Sequence, residues 1–259
     1  MFAEVPGARL WYEDTGGSGP ALVLLHARTG SAAMWRRQIA AFGGAGYRCL
    51  VYDRRQSGRT ELDTHAPDVL PADDLRLLMD WLAIDRFHLL ATAAGGIVAL
   101  DFALSYPDRV RTLVFANSVG SAEIKREPEY IAAAAHLRPP DDDPPETREL
   151  SASYRAGDPA GVQEWLDLGR ETHRKKPPFP GTRNRITFAR LEDLQVPTLL
   201  ITGDVDPFTP PQVLELFRRH IPNATAVVIP DCSHSAFWEQ PEIFNRAVLD
   251  FVASAGAAS

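Results

Sequence analysis

Apolar positions along this chain follow two alternating patterns. Short runs of aliphatic and β-branched residues, bounded by turn formers, predict strands buried on both faces. These are "ALVLLHA" (Ala21–Ala27), "YRCLVYD" (Tyr47–Asp53), "FHLLAT" (Phe87–Thr92), "VRTLVFAN" (Val110–Asn117), "PTLLITGD" (Pro197–Asp204) and "ATAVVIPD" (Ala224–Asp231). "ARLWYEDT" alternates apolar with polar and reads as an edge strand. Between the runs lie amphipathic segments at helical spacing: 32–43, 71–82, 96–106, 211–221 and 240–253. The last carries Pro241 in its first turn and Ile243, Phe244, Ala247, Val248 and Phe251 on one face. Strand–helix alternation of this kind predicts an α/β fold, a doubly wound and mostly parallel sheet with helices on both sides.

The alternation breaks between residues 119 and 191. Two helical patterns there, "PEYIAAAAHL" and "PAGVQEWLDLGR", flank the run "RPPDDDPPE", which reads as exposed. The expected organisation is a core from 1–118 and 192–259, with 119–191 inserted as a helical lid (cap) over the carboxyl edge of the sheet. The terminal "ASAGAAS" should be loose.

Composition narrows the function classes. The 259 residues carry 27 basic and 34 acidic side chains, a net charge of −7 that argues against a nucleic-acid surface. The basic run Arg174-Lys175-Lys176 is short and reads as solvated. The two cysteines, Cys49 and Cys232, provide no disulfide framework. No window approaches the roughly 18 apolar residues of a membrane span, and no signal peptide is visible, so a cytoplasmic location is expected. No histidine pair has ligand spacing, so no metal site is expected, and neither "TGGSG" nor "ATAAGG" fits a phosphate or dinucleotide loop, so no cofactor is expected. The expected partner is a small-molecule substrate. Oligomeric state is not legible.

The chemistry concentrates in five stretches. "HLLATAAGGIVAL" (His88–Leu100) is a strand turning into a helix through tiny residues, the build of a G-x-S-x-G nucleophile elbow, with Ala93 at the serine position. "LVLLHARTGSAAMW", "YDRRQSGRT", "ITGDVDPFTPP" and "IPDCSHSAFWEQPEIFNRAVLDF" follow or flank it in an order that, taken together, resembles the α/β-hydrolase fold superfamily. The resemblance covers nearly the whole chain outside 119–191. It is most similar to the small lactonase, esterase and carbon–carbon-bond hydrolase branch.

The resemblance implies a nucleophile–acid–histidine order, which maps onto Ala93, Asp206 and His234. Asp206 would hold the imidazole in one tautomer and His234 would serve as base and then acid. Asp204 is a near alternative for the acid. The implied oxyanion donors are the backbone N–H groups of Ala94 and Arg28. Ala27, Gln56 and Ala91 replace glycines usual in the family, and a positive φ at Ala27 would be costly. The Arg28 guanidinium has two open roles, bidentate capture of a substrate carboxylate or a solvent-facing charge. Trp35, Tyr154, Trp165, Phe208, Phe237 and Trp238 are candidates for apolar pocket walls, although each taken singly reads more readily as core.

Ala93 leaves three readings open. A serine has been replaced in an otherwise ordinary hydrolase of a small ester, lactone or vinylogous ketone, because "S-A-G-G" is a common elbow ending. Or His234–Asp206 works without covalent catalysis, on water or on an acidic substrate, as the resemblance implies for cofactor-free lyases and dioxygenases of this fold. Or the scaffold binds a small ligand without turnover. Thr92 is poorly directed to substitute for the missing hydroxyl, and Cys232 is a remote candidate.

Overall fold

A computed structural model describes residues 1–63, 69–134, 136–172 and 181–256. Arg174-Lys175-Lys176 and the last three residues of the tail lie outside the described residues. The strands are β1 (Phe2–Val5), β2 (Ala8–Asp14), β3 (Ala21–Leu25), β4 (Arg48–Tyr52), β5 (Glu61–Leu62), β6 (Phe87–Thr92), β7 (Val110–Ala116), β8 (Thr198–Gly203) and β9 (Ala224–Ile229). They form one sheet in the order β1-β2-β4-β3-β6-β7-β8-β9, with β5 paired to β2. From β4 through β9 every neighbouring pair is parallel, while β1/β2, β2/β4 and β2/β5 are antiparallel. This is the α/β fold the apolar runs predict.

Alternation along the central strands divides the core in two. Val23, Leu25, Leu50, Leu89, Leu113 and Phe115 enter one buried layer. Their chain neighbours Leu22, Leu24, Val51, Leu90, Val114 and Ala116 enter the other. With both faces covered, every residue of β3, β6 and β8 is buried, so their sequences read as unbroken apolar runs. Truncating one such residue, Leu24→Ala, would cost about 2–5 kcal/mol.

Two strand expectations need correction. β2 is not an edge strand, because β1 pairs outside it from Phe2↔Trp11 to Val5↔Ala8. Conversely β9 is the outer strand beyond β8, and only Ile229 of its six residues is buried. Its apolar sequence reflects β-propensity in an outer strand that packs against α9 (Pro211–His220) and α11 (Pro241–Gly256) yet stays largely unburied.

The helices of the core are α1 (Arg36–Gly44), α2 (Pro71–Trp81), α3 (Ala94–Ser105), α9 (Pro211–His220), α10 (Ala236–Glu239) and α11 (Pro241–Gly256). Proline opens α2 and α9, where its missing N–H has no intrahelical role, and Asp73 and Asp74 lie in the first turn of α2 near its positive end. Between β7 and β8 the described residues hold α4 (Pro128–Ala134), α5 (Pro145–Glu149), α6 (Ala152–Gly157), α7 (Pro159–Thr172) and α8 (Phe188–Leu191), and no strand. This segment is pinned to the core by Trp238, whose indole Nε1 donates to the Gly161 carbonyl (3.2 Å). The buried Glu239 carboxylate makes a second tie. It accepts from the Ser151 N–H (2.9 Å) and from the Ser233 N–H (3.0 Å), joining the segment to the loop that carries His234. No helix among the described residues is long and apolar enough to cross a membrane.

Candidate active site

Parallel strands bring the loops after β3, β6, β8 and β9 to one edge of the sheet, where open α/β sheets place their sites. The turn from β6 into α3 is the sharpest of them. Ala93 has φ +48° and ψ −120°, a conformation that costs a non-glycine residue on the order of 1–3 kcal/mol. The Ala93 N–H donates to the Ala116 carbonyl (3.1 Å), and the Ser118 hydroxyl donates to the Ala93 carbonyl (2.6 Å), so the end of β7 and the residues just after it hold the turn. Gly95 and Gly96 are required by close approach. A Cβ at Gly95 would fall 2.5 Å from the Leu25 carbonyl oxygen, and one at Gly96 would fall 2.4 Å from the Ser118 hydroxyl. Ala94, the first residue of α3, has an N–H with no intrahelical acceptor.

The loop after β3 is held by its buried neighbours. His26 donates from Nδ1 to the Ala27 carbonyl (2.7 Å) and accepts at Nε2 from the Arg54 N–H (3.2 Å). Burial, reinforced by Arg54, pushes its pKa well below the ordinary value and keeps it a neutral, structural imidazole. Asp53 accepts from the Ala32 and Arg59 N–H groups, both at 2.8 Å, tying this loop to "YDRRQSGRT". Ala27 keeps a negative φ, so replacing glycine there carries no backbone cost. Gln56 is different: it sits at φ +67°, in the conformation a glycine would relieve.

The third and fourth loops form a charge-relay pair in the geometric sense. His234 Nδ1 lies 2.9 Å from Asp206 Oδ2 and 3.1 Å from Oδ1. Asp206 is almost fully buried and its oxygens are saturated. Oδ1 accepts from the Phe208 N–H (2.8 Å) and the Thr209 N–H (3.0 Å). Oδ2 accepts from the Thr209 hydroxyl (2.5 Å), the Asn117 amide (3.0 Å) and the Thr202 hydroxyl (3.3 Å). Burial would raise this carboxyl, but the imidazole and these donors outweigh it and hold the pKa far below the usual carboxylate range. Burial would likewise lower the His234 pKa, yet the Asp206 charge and hydrogen bond, with Glu149 and Glu239 nearby, hold it above 6.5. Asp204 is not the partner; its carboxylate accepts from the Cys232 N–H (3.2 Å).

These loops open on a cavity of about 420 Å³ lined by Arg28, Thr29, Ala93, Phe208 and His234 from the core, and by Arg138, Asp141, Arg148 and Glu149 from the β7–β8 segment. Phe208 packs on the imidazole at 4.6 Å between ring centroids, and the Arg148 guanidinium lies 5.8 Å from the Phe208 ring centroid. Arg138 and Arg148 both donate to Asp141 Oδ1, at 3.0 and 3.2 Å. Arg28 is exposed and has no hydrogen bond or ion pair among the described residues, which leaves its fork free at the cavity. Burial raises the Glu149 carboxyl against the opposing pull of His234 and of the Thr29 hydroxyl, which donates to it at 3.2 Å.

Of the expected aromatic wall, only Phe208 lines this cavity. Trp35, Trp165, Phe237 and Trp238 are buried in the core layer beneath it, with Trp35 and Phe237 in contact at 4.8 Å; Tyr154 packs against that layer and donates to Asp158 (3.2 Å). These rings seal the β7–β8 segment to the core. The cavity wall is charged instead, and apart from Arg28 its charged residues carry no sequence motif. Arg138 and Asp141 lie in "RPPDDDPPE", which is exposed as expected and yet borders the cavity. Asn117, at φ +45°, carries no motif either; an asparagine ending a buried strand is the signal that marks it. Neither substitute nucleophile is available. The Cys232 thiol is fully buried, donates to the Ile229 carbonyl (3.6 Å) and is pushed far up by burial, and Thr92 is fully buried within β6.

Comparison with known proteins adds a family to this geometry. The model of the alpha/beta hydrolase family matches residues 22–247. A 2-hydroxy-6-oxononadienedioate/2-hydroxy-6-oxononatrienedioate hydrolase of Burkholderia vietnamiensis is 33% identical over 261 residues, covering 94% of this chain and 91% of that protein. Among solved structures, a malate-bound thermophilic esterase from Thermogutta terrifontis superposes with a TM-score of 0.75 at 26% identity, covering 96% of this chain and 94% of that one. The enol-lactonase of Burkholderia xenovorans LB400 shares the fold with a TM-score of 0.77 at 24% identity, covering 98% of this chain and 100% of that one.

Proposed function

This chain belongs to the alpha/beta hydrolase family, and from that premise we propose that it hydrolyses a small carboxylate-bearing ester, lactone or vinylogous ketone with water activated by the His234–Asp206 dyad, forming no acyl-enzyme. The observation that carries the reading is a fully assembled dyad opening on a cavity with an unpaired arginine fork and no oxygen at position 93. A ligand-binding scaffold has no use for a base and its orienter held at 2.9 Å.

In this mechanism Arg28 binds the substrate carboxylate with two parallel hydrogen bonds. That orients the scissile carbonyl toward the Ala94 and Arg28 N–H groups, which stabilise its developing negative charge. His234 takes a proton from water at Nε2, Asp206 stabilises the imidazolium through Nδ1, and the same proton passes to the leaving oxygen or carbon. The segment 119–191 acts as the lid, contributing Arg138, Arg148 and Glu149. The named substrate of the Burkholderia relative ends in two carboxylates and the solved esterase was bound to malate, which supports a carboxylate-bearing substrate. Hydrolases deprived of a triad member retain roughly 10³–10⁴-fold catalysis over water, so a dyad without serine has a route to turnover.

The test is turnover of the chain, Ala93→Ser and His234→Ala on a panel of small esters, enol-lactones and β-diketones, each with and without a carboxylate. Turnover by the chain itself that is lost in His234→Ala and not increased by Ala93→Ser supports the dyad. Activity that appears only in Ala93→Ser overturns it in favour of an ordinary serine hydrolase whose nucleophile has been replaced. Tight binding without turnover in any form marks a ligand-binding protein.

A further inference from the structure

A water molecule activated by His234 needs a second contact to hold its attacking lone pair toward the carbonyl. In a serine hydrolase the first half-reaction escapes that demand, because the nucleophilic oxygen is anchored through its own side chain. Here no side-chain oxygen stands at position 93, so some other group must carry out the anchoring. Among the described core residues, Asp206 is saturated behind the imidazole, His26 is locked between the Ala27 carbonyl and the Arg54 N–H, and the Thr29 hydroxyl is donated to Glu149.

The β7–β8 segment does offer one. Glu149, the last residue of α5, lines the same cavity as Ala93 and His234. One oxygen, Oε2, accepts from the Thr29 hydroxyl at 3.2 Å, and Thr29 belongs to the oxyanion loop itself. No hydrogen bond reaches Oε1 among the described residues, so that oxygen is left to the cavity. The backbone behind it is fixed. Two residues on, the Ser151 N–H is held by the buried Glu239 carboxylate, and the Ser153 hydroxyl donates to Asp231 at 2.6 Å. Glu149 and His234 also sense each other's charge, the carboxylate raising the imidazole and the imidazole opposing the effect of burial on the carboxyl.

We propose that Glu149 is the water-holding catalytic residue of this site, a role that rests on the functional reading above. Its Oε1 accepts one O–H of the attacking water while His234 Nε2 takes the proton of the other. The water oxygen bonds to the carbonyl carbon, the proton on Nε2 passes to the leaving group, and the second hydrogen stays on the new carboxylic acid until that acid ionises. No further reactant is needed. Thr29 is a positioning residue that keeps Oε2 occupied so that Oε1 faces the water.

The experiment separates steps that need water from the step that does not. In Ala93→Ser, transfer of the acyl group to the new hydroxyl consumes no water, whereas release of the acyl-enzyme does. The probe is the 4-nitrophenyl monoester of glutaric acid, followed by stopped-flow release of 4-nitrophenolate and by intact-protein mass. The double variant Ala93→Ser/Glu149→Gln should release one equivalent of 4-nitrophenolate in a burst and hold the glutaryl adduct. Its steady rate should then fall by about 10²-fold or more below that of Ala93→Ser. Ala93→Ser/Thr29→Val should show the same burst with a smaller loss. Equal loss in both phases with no adduct would overturn the proposal, since a residue that merely supports the fold would impair acylation and deacylation alike. If Ala93→Ser gains no adduct and turns the ester over no faster than the chain itself, the comparison moves to the chain, where Glu149→Gln alone should lower the rate by about 10²-fold and an undiminished rate would overturn the proposal; absence of nitrophenolate release by the chain and by Ala93→Ser alike would instead overturn the functional reading beneath it.

Discussion

Asp206→Asn is the most informative single substitution because the surrounding donors dictate which way the new amide must lie. Oδ1 faces two backbone N–H groups, Phe208 at 2.8 Å and Thr209 at 3.0 Å, that cannot rotate away. The amide oxygen must therefore take that place and the NH₂ must replace Oδ2, facing His234 Nδ1 and the Asn117 amide. His234 then accepts at Nδ1 and carries its proton on Nε2, the wrong tautomer for a base. Such a tautomer switch in a triad costs about 10⁴ in kcat, equivalent to about 5 kcal/mol of transition-state stabilisation. The fold should lose less. The Thr209 hydroxyl can turn to accept, and the buried Asn117 Oδ1, which has no partner at present, can flip to meet the new NH₂. One buried mismatch then remains, at about 1–3 kcal/mol, a Tm drop of roughly 2–10 °C in a chain of this size. Turnover of carboxylate-bearing esters gives the first number, thermal unfolding by circular dichroism the second, and nitrogen NMR of His234 the tautomer. Retention of a tenth of the activity, or of a proton on Nδ1, would refute the reasoning.

The same pair makes a pH prediction. His234 is held above 6.5 in the folded protein, so kcat should rise as pH increases through that raised value, and the acid limb should move to lower pH in Asp206→Asn. Asp206 is held far below the ordinary 3.8, so its stabilising contribution is present above that value and is lost only as pH falls through the depressed one. Arg28→Met should raise KM for carboxylate-bearing substrates by about 10–100-fold while leaving neutral analogues within a few-fold, measured by paired Michaelis curves; equal effects on both would remove Arg28 from carboxylate binding. Gln56→Gly should raise Tm by about 1–3 °C, since the exposed side chain at φ +67° forfeits little packing and the backbone is relieved; a lower Tm would show the strain argument wrong. Glu239→Ala strands two buried N–H groups, Ser151 and Ser233, and should cost about 2–5 kcal/mol by urea denaturation. A loss under 1 kcal/mol would show that the tie is not structural.

The sheet was legible wherever both faces of a strand are buried. "FHLLAT" is β6 to the residue, because an unbroken apolar run ending in small residues has one reading once a helix follows it. Edge strands were legible only in part, since a half-exposed strand such as β9 can still be written in valine and isoleucine. In the site, the imidazole and its carboxylate could be paired because each sits in a loop that follows a strand and precedes a helix. The walls could not. Trp238 and Phe237 flank His234 in sequence, yet a helical turn points them into the core, while Arg148 and Glu149 come from more than eighty positions away. Charged side chains in a proline-rich stretch carry no periodicity to announce that they border a cavity. Alanine does not report a positive φ by its type, so at Ala93 only the surrounding elbow pattern announces it, whereas Asn117 at the end of a buried strand is a residue type that tolerates it.

The seat of α3 has a consequence for redesign. Gly95 presses against the Leu25 and His26 carbonyls and Gly96 against Ser118, with no room for a methyl group at either. The helix start is therefore set by Gly95 against backbone and by Gly96 against the Ser118 and Phe115 side chains, and neither contact involves the side chain at position 93. The elbow behaves as a socket whose frame is independent of what is plugged into it. Serine, cysteine or aspartate introduced there would each meet the same Ala94 N–H and the same imidazole, so one scaffold could compare oxygen, sulfur and carboxylate nucleophiles with free water, atom for atom.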